Sequence, residues 1–356
     1  MGKKAIDLHC DSVFHLMEGK DMRQRIDGAH IDLPRLRAGN VGLQVFAVYV
    51  PPKNGNVSIS GIGTFSLGGE NPFDFTNKRL DAIGAFARSD DHLTPVETAA
   101  ELKKCLANDK TGIMMAIENG LAIEESIEKL EHMRRRKVRL MTLVHSQHLN
   151  WVESCTGSGQ FLSGRSAENH RNHGLSDFGE KVVDAMNDLG MIPDVSHASE
   201  NAFWDIIKRS KKPIIATHSC AWSICASPRN LKDDQLKALG DSGGLVGVNF
   251  FSGFLSEPYR KAFEPHMTDG NSKEEVQVKV PMSIIADHID YMVNIAGEDC
   301  VGLGSDFDGI PNAPEGVTGC DFFPRLEVEL YSRGYSEKRI EKIFNGNFMR
   351  VLKAWE

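Results

Sequence analysis

The stretch MIPDVSHASENAFWDIIKRSKKPIIATH, residues 191–218, contains the unit from which the fold can be predicted. Two short apolar runs, 191–197 and 213–218, flank a segment whose apolar residues recur at spacings of three and four. The runs are too short for helices and too continuous for half-exposed strands, so they predict buried parallel strands joined by a helix. Such a strand–helix–strand unit is typical of α/β proteins.

The same alternation extends along the whole chain. Further apolar runs lie at 5–11, 41–50, 112–118, 138–145, 244–250 and 300–306. Helical spacing predicts helices over 76–105, 123–136, 176–189, 200–208, 233–239 and 283–296, and an amphipathic helix after Ser336. Eight strands alternating with helices predict a closed (β/α)8 TIM barrel forming a single domain, residues 1–356, with a doubly wound open sheet as the alternative.

Three polar segments interrupt the repeat, at 51–72, 147–174 and 252–280. Each follows a predicted strand. In a barrel the loops after the strands lie on the catalytic face. We therefore expect these insertions to form walls or a lid around a site.

The composition excludes several classes of function. A formal net charge of -8, spread along the chain, argues against nucleic acid as a partner, because phosphate binding needs a basic face. The seven cysteines form no CxxC pair, which fits a reducing compartment. No stretch reaches the ~18 apolar residues of a membrane span. We expect a soluble, cytoplasmic protein without a membrane partner; a homo-oligomer stays open.

Ionisable side chains stand where the apolar runs stop. In the first run His9 and Asp11 are two residues apart, so both can face the same side of a strand. Other runs end in Glu118, His145, His197, His218 and Asp306. Taken singly, each has a plain alternative, since a histidine after a strand is more often structural and a glutamate can cap a helix. Because strand ends of a barrel converge, their joint occurrence predicts one site.

Imidazoles and carboxylates without a thiolate suit Zn(II) or a similar divalent ion. Five or six ligands exceed the three protein ligands of one catalytic zinc. Two ions that share one carboxylate fit the number of ligands, and a water between them would ionise near neutral pH. The remaining histidines are expected on the surface or in loops: His15, His30, His148, His170, His173, His266 and His288.

The chain resembles the membrane (renal-type) dipeptidase family, within the amidohydrolase-like metal barrels. The matching segments are IDLHCDS (6–12), AIENG (116–120), RLMTLVHS (139–146), GLSDFGEKVVDAMNDLGMIPDVSHAS (174–199), ATHSCAWSICASPRNL (216–231), VGLGSDFDGIP (301–311) and NGNFMRVL (345–352). The resemblance runs nearly end to end. The THS…SPRN and GSDFDG segments are specific, whereas HxD alone is not.

The resemblance implies a role for each metal-type residue. His9 and Asp11 would bind one metal ion, and His197 and His218 the other. Glu118 would bridge both ions. Two divalent ions, most simply Zn(II), are therefore the expected cofactors.

Substrate roles are implied in the same way. His145 would polarise the scissile carbonyl, and Arg229 would hold the free carboxylate of the substrate. Asp306 would take a proton from the attacking water and pass it to the leaving amine. Asp308 is the runner-up for that task, with a structural turn as its alternative.

The implied activity is hydrolysis of the peptide bond of dipeptides by a hydroxide that bridges two metal ions, with L-Xaa-D-Xaa dipeptides as reasonable substrates. One alternative is another hydrolase on the same barrel, acting on lactones, other amides or phosphoesters. A second is a non-catalytic binding protein that kept the barrel. Its signature would be lost ligands, yet every expected ligand type is present.

Overall fold

The computed structural model describes residues 2–54, 56–59, 62–157, 174–268 and 276–356. Each of the eight apolar runs predicted to be a strand contains one in this structure. The strands are β1 (Ala5–Cys10), β2 (Val41–Tyr49), β3 (Val57–Ile59), β4 (Gly63–Phe65), β5 (Leu93–Pro95), β6 (Thr111–Glu118), β7 (Leu140–Thr142), β8 (Ile192–Asp194), β9 (Ile215–Ser219), β10 (Leu245–Val248) and β11 (Val301–Leu303).

Eight of these strands close into a parallel barrel. Its order around the ring is β1–β2–β6–β7–β8–β9–β10–β11 and back to β1. Closure is visible in the register, where Tyr49 pairs with Glu118 and Asp7 pairs with Leu303. The (β/α)8 prediction is confirmed, and the open sheet is excluded.

Helices occupy most of the segments between the barrel strands. They are α1 (Val13–Met17), α2 (Leu33–Ala38), α3 (Pro72–Phe86), α4 (Ala99–Ala107), α5 (Ile127–Arg135), α6 (Asp177–Leu189), α7 (Glu200–Arg209), α8 (Asp233–Asp241), α9 (Ser252–Leu255), α10 (Glu257–Thr268), α11 (Ser283–Ala296), α12 (Phe323–Ser332), α13 (Glu337–Glu341) and α14 (Asn347–Ala354). A π-helical turn joins α13 to α14, so the closing helix predicted after Ser336 is nearly continuous.

The single helix predicted over 76–105 is wrong, because two helices and a strand occupy that stretch. Asn71 caps α3 by accepting a hydrogen bond from the backbone of Asp74. Thr98 and Glu101 form a capping box that starts α4 afresh. Between the two helices, β5 pairs with the first residues of β6.

The three polar insertions differ in structure. The antiparallel pair β3–β4 lies in the first, and the short helices α9 and α10 lie in the third. Most of the second insertion, 158–173, lies outside the described residues. Among the helices of the described part, none is long and apolar enough to cross a membrane.

An apolar cluster fills the barrel and closes the end at which its strands begin. Ile6, Leu8 and Leu245 are buried in it together with Leu352 and Trp355 from α14 and its end. The indole Nε1 of Trp355 donates to the carbonyl of Pro213 at 2.7 Å, just before β9. Because α14 covers the end where the strands begin, the opposite end, where they finish, is left for the polar residues.

Candidate metal centre at the strand ends

Glu118 lies at the centre of the strand ends, buried to 3% exposure at the last position of β6. Its two carboxylate oxygens face different histidines. Oε2 is 3.6 Å from Nε2 of His9. Oε1 is 3.1 Å from Nε2 of His197 and 3.4 Å from Nε2 of His218. One carboxylate therefore lies between a histidine of β1 and histidines at the ends of β8 and β9.

Two further predicted residues complete the cluster. Oδ2 of Asp11 is 3.8 Å from Nε2 of His9, on the Oε2 side of Glu118. Nε2 of His145 is 3.8 Å from Oε1 of Glu118, on the other side. Two groups with metal-ligand spacing share Glu118 as a result: His9, Asp11, Glu118 and Glu118, His145, His197.

Local backbone geometry turns these side chains into the cluster. His9 and Asp11 follow from the two-residue period of β1. His197 has a left-handed φ of 68°, which departs from the strand path after β8, and Asp306 has a φ of 63°. Left-handed non-glycine residues cost about 1–3 kcal/mol each and are concentrated at functional sites.

Burial and charge act in opposite directions on the ionisation of the cluster. Burial disfavours the Glu118 carboxylate, yet the surrounding imidazoles, led by His9, bring its pKa well below the usual range. Burial would lower the pKa of His9, but Glu118 and Asp11 raise it to about 10. Burial lowers the pKa of His145 to about 4, and that of His197 well below its usual value. Neutral imidazoles are the form that binds metals.

The donor set fits divalent metal ions. Nε2 of His9, Oδ1 of Asp11 and Nδ1 of His197 are buried and have no hydrogen-bond partner among the described residues. Buried polar atoms are normally paired, so such atoms point to a missing partner. Nitrogen and carboxylate oxygen without thiolate are ligands that Zn(II) and similar ions accept.

Asp306 lies at the edge of this cluster. Its Oδ2 accepts a hydrogen bond from Nδ2 of Asn249 at 2.8 Å. A Cβ placed on Gly309 would come within 2.7 Å of Oδ1 of Asp306 and within 2.0 Å of Oδ2 of Asp11. Glycine at this position therefore lets two carboxylates meet close to the backbone.

Asp308, two residues further on, is held away from the cluster. Its Oδ2 accepts from Oγ of Ser12 at 2.5 Å, and its Oδ1 accepts from the backbone N of His30 at 2.7 Å. Nε2 of His15 lies 3.6 Å from the same Oδ1. These contacts fit the structural alternative for Asp308 and leave Asp306 as the carboxylate beside the metal-type residues.

Arg229 lies beside the histidines and is 6% exposed. Its Nη2 donates to the carbonyl of His218 at 3.3 Å, and its guanidinium stands 5.3 Å from the ring centre of Phe254. Nε and Nη1 have no hydrogen-bond partner among the described residues. A buried guanidinium with free donors is suited to a carboxylate that arrives from outside.

Two parts of the site were missed by sequence reasoning. Asp194 accepts from the hydroxyls of Thr142 and Thr217, and the latter hydroxyl contacts His218. Tyr49, at the end of β2, packs against His145 with ring centres 4.5 Å apart and the rings tilted by 52°. A signal existed for Asp194, since an aspartate inside an apolar run is unusual; Tyr49 carried none, because tyrosine is common in strands.

The surface or loop location expected for the remaining histidines is wrong for two of them. His288 is fully buried within α11, and His15 is 5% exposed within α1. Nδ1 of His288 accepts from the backbone N of Ala221, and its Nε2 faces the carbonyl of Leu255 at 2.9 Å. His170 and His173 lie outside the described residues, as does the side chain of His266.

Comparison with known sequences places these residues in a family context. The sequence profile of the membrane dipeptidase family, peptidase family M19, matches residues 2–356. An uncharacterized protein of the pqqA 5' region of Klebsiella pneumoniae is 42% identical over 184 residues, covering 51% of this chain and 62% of that protein. Dipeptidase 3 of Mus musculus is 28% identical over 326 residues, covering 91% of this chain and 58% of the mouse protein.

These coverages mean that the chain spans about 60% of the length of both curated relatives. Among solved structures, the dipeptidase AC of family M19 superimposes with a TM-score of 0.80 at 25% identity. That alignment covers 100% of this chain and 99% of the other. The similarity in fold therefore extends along the barrel as a whole.

Proposed function

Since this chain belongs to the membrane dipeptidase family, peptidase family M19, we propose that it is a metal-dependent dipeptidase acting at the Glu118 cluster. The observation that carries the proposal is that the two oxygens of one carboxylate face two different groups of histidines. Oε2 of Glu118 faces His9, and Oε1 faces His197 and His218. A carboxylate placed between two sets of ligands is what a two-metal site requires.

Two divalent ions, most simply Zn(II), fit this arrangement. His9 and Asp11 would hold one ion, His197 and His218 the other, and Glu118 both. Ions held there would supply Lewis acidity and a source of hydroxide at neutral pH.

Arg229 would bind the substrate at its C-terminal carboxylate. The free donors of this buried guanidinium can bind a carboxylate in a bidentate manner, which a lysine cannot do. A carboxylate held one residue beyond the scissile bond restricts the site to very short peptides. The carboxylate of a dipeptide stands at this place, so a clamp at Arg229 would favour dipeptides.

Proton transfer is assigned to Asp306. The hydrogen bond from Asn249 holds its carboxylate in one orientation beside Asp11. In this position it would accept a proton from the attacking water and donate it to the leaving amino group. The neutral imidazole of His145 would donate a hydrogen bond to the carbonyl oxygen as negative charge develops there.

Stereochemistry and location are further parts of the proposal. We propose L-Xaa-D-Xaa dipeptides as substrates, on the strength of the family resemblance. A reducing compartment such as the cytoplasm fits the seven cysteines, all of which are unpaired. Hydrolysis of lactones, other amides or phosphoesters is the competing activity on such a barrel.

A library of dipeptides tests the proposal together with metal analysis. Each dipeptide is offered with an L or a D residue at its C-terminus, and again with its carboxylate converted to an amide. We expect about two metal ions per chain and hydrolysis of the free acids, with the amides cleaved poorly. A protein without stoichiometric metal, or one that prefers lactones or phosphotriesters, would overturn it.

A further inference from the structure

The carboxylate of Asp194, at the end of β8, lies below the metal-type residues and does not contact Glu118 in any described hydrogen bond. It is 1% exposed and accepts four hydrogen bonds. Backbone N atoms of Ser196 and Thr217 donate to Oδ1, both at 2.9 Å. The hydroxyls of Thr142 and Thr217 donate to Oδ2, both at 2.5 Å. Four donors occupy the acceptor positions of a carboxylate.

The direction of these hydrogen bonds determines whether the Thr217 hydroxyl donates to the neighbouring histidines or accepts from them. A threonine hydroxyl has one proton, and in this network that proton goes to Asp194. The oxygen of the same hydroxyl is 2.7 Å from Nδ1 of His218 and 3.5 Å from Nδ1 of His9. Thr217 can therefore only accept from these imidazoles, so their Nδ1 atoms carry the protons.

The consequence is a single tautomer at two histidines. With the Nδ1 proton held by Thr217, the nitrogen that His9 and His218 can each offer to a metal ion is Nε2, and both Nε2 atoms face Glu118. The two rings lie with centres 3.8 Å apart, and the Nδ1 atoms of both are within 3.5 Å of the Thr217 hydroxyl. In the proposed centre these histidines serve different ions.

We propose that Thr217, backed by Asp194, is a positioning residue that orients one ligand of each metal ion through one hydroxyl. This inference rests on the proposed metal centre. Outer partners that fix the tautomer of a ligating histidine typically change metal affinity or activity by about 10–100-fold. Here one threonine would affect the affinity for both ions at once.

A metal ion bound directly by Asp194 is the rival reading. His9, Asp194 and His218 have ligand atoms close enough to hold an ion. The Thr217 hydroxyl, however, lies between Asp194 and the histidines, and the acceptor positions of Asp194 are filled. The structure thus favours a hydrogen-bond relay, from Asp194 through Thr217 to the two histidines, over a third metal ion.

The chain offers a matched control. Thr142→Val and Thr217→Val each remove one hydroxyl from Oδ2 of Asp194 at the same distance, and each keeps the shape of the side chain. Among the described residues, the Thr142 hydroxyl forms no hydrogen bond with a histidine. Thr217→Ser keeps the hydroxyl and serves as the rescue variant.

Metal affinity is measured by competition with a chelator, using Zn(II) or Co(II). We expect Thr217→Val to weaken both sites by about 10-fold or more. Thr142→Val and Thr217→Ser should stay near the wild-type affinities. As a readout without metal, ¹⁵N spectra of the imidazoles should show the Nδ1–H form of His218 in the wild type and a mixture of tautomers in Thr217→Val.

The outcomes separate the two proposals. If the wild type binds metal and Thr217→Val matches Thr142→Val, the relay is wrong while the metal centre stands. Weakening of one site alone, or an Nε2–H tautomer of His218 in the wild type, would also overturn the relay. A wild-type protein that takes up no metal would overturn the metal centre and, with it, the role of Thr217.

Discussion

Oε1 of Glu118 lies 3.1 Å from Nε2 of His197, while Oε2 of the same carboxylate faces the other half of the cluster. Glu118→Gln replaces one oxygen with an amide NH₂ that cannot bind a cation. We expect this variant to lose at least one ion per chain and to lose activity with it, as measured by elemental analysis beside the dipeptide assay. Glu97→Gln, a matched change at a half-buried glutamate that pairs with Arg134 and Lys137 outside the cluster, should keep both ions. Full metal content in Glu118→Gln would show that this carboxylate does not bridge.

Arg229→Lys tests the carboxylate clamp. A lysine keeps the positive charge but cannot form the paired hydrogen bonds of a guanidinium. Losing a charge-assisted hydrogen bond costs about 1.5–3 kcal/mol, so KM for free-acid dipeptides should rise by about 10-fold or more. Metal content should not change. Equal KM values for the variant and the parent would mean that the substrate carboxylate binds elsewhere.

The barrel interior predicts a contrast between two neighbouring glycines. A Cβ on Gly304 would lie 1.7 Å from the carbonyl oxygen of Thr217, whereas a Cβ on Gly302 would make ordinary contact at 3.4 Å with Leu245. Gly304→Ala must push two strands apart, and we expect a loss of about 1–3 kcal/mol or more in the free energy of unfolding. Gly302→Ala should change it by less than about 1 kcal/mol. Urea denaturation of both variants compares them directly.

His288 makes stability depend on pH. Burial lowers its folded-state pKa from 6.5 to about 4. Between these values the unfolded chain binds more protons than the folded one, so stability is full above about pH 6.5 and falls as the pH drops toward 4.

His288→Gln removes this titration while keeping an acceptor for Ala221 and a donor for Leu255. From pH 7 to pH 5, the wild type should lose about 2 kcal/mol more stability than the variant. Denaturation in the presence of a chelator at both pH values measures the difference. Parallel losses in the two proteins would show that another group causes the acid sensitivity.

The strands and the metal-type residues could be predicted from the sequence because both depend on local patterns. An apolar run predicts a buried strand by itself, and barrel geometry then brings the strand ends together. The strand β5 was missed because its three residues carry no pattern of their own, and its pairing with β6 is a tertiary contact.

The supporting contacts could not be predicted for a related reason. Asp194 meets Thr142 and Thr217 at separations of 52 and 23 residues, and Asp308 meets His30 at a separation of 278. No spacing rule connects residues so far apart. The burial of His15 and His288 likewise depends on neighbours from distant segments.

The pairing of Asp7 with Leu303 has a consequence for how this protein is made. The barrel closes between its first and last strands, and the closing pair spans nearly 300 residues of chain. Contacts of such long range form slowly, because much of the chain must be in place before they can be made. On the ribosome, His9 and Asp11 leave the exit tunnel long before β11, the strand that closes the barrel, is synthesised. Metal loading is therefore expected to follow translation, and any truncation before β11 should yield a chain that never acquires its ions.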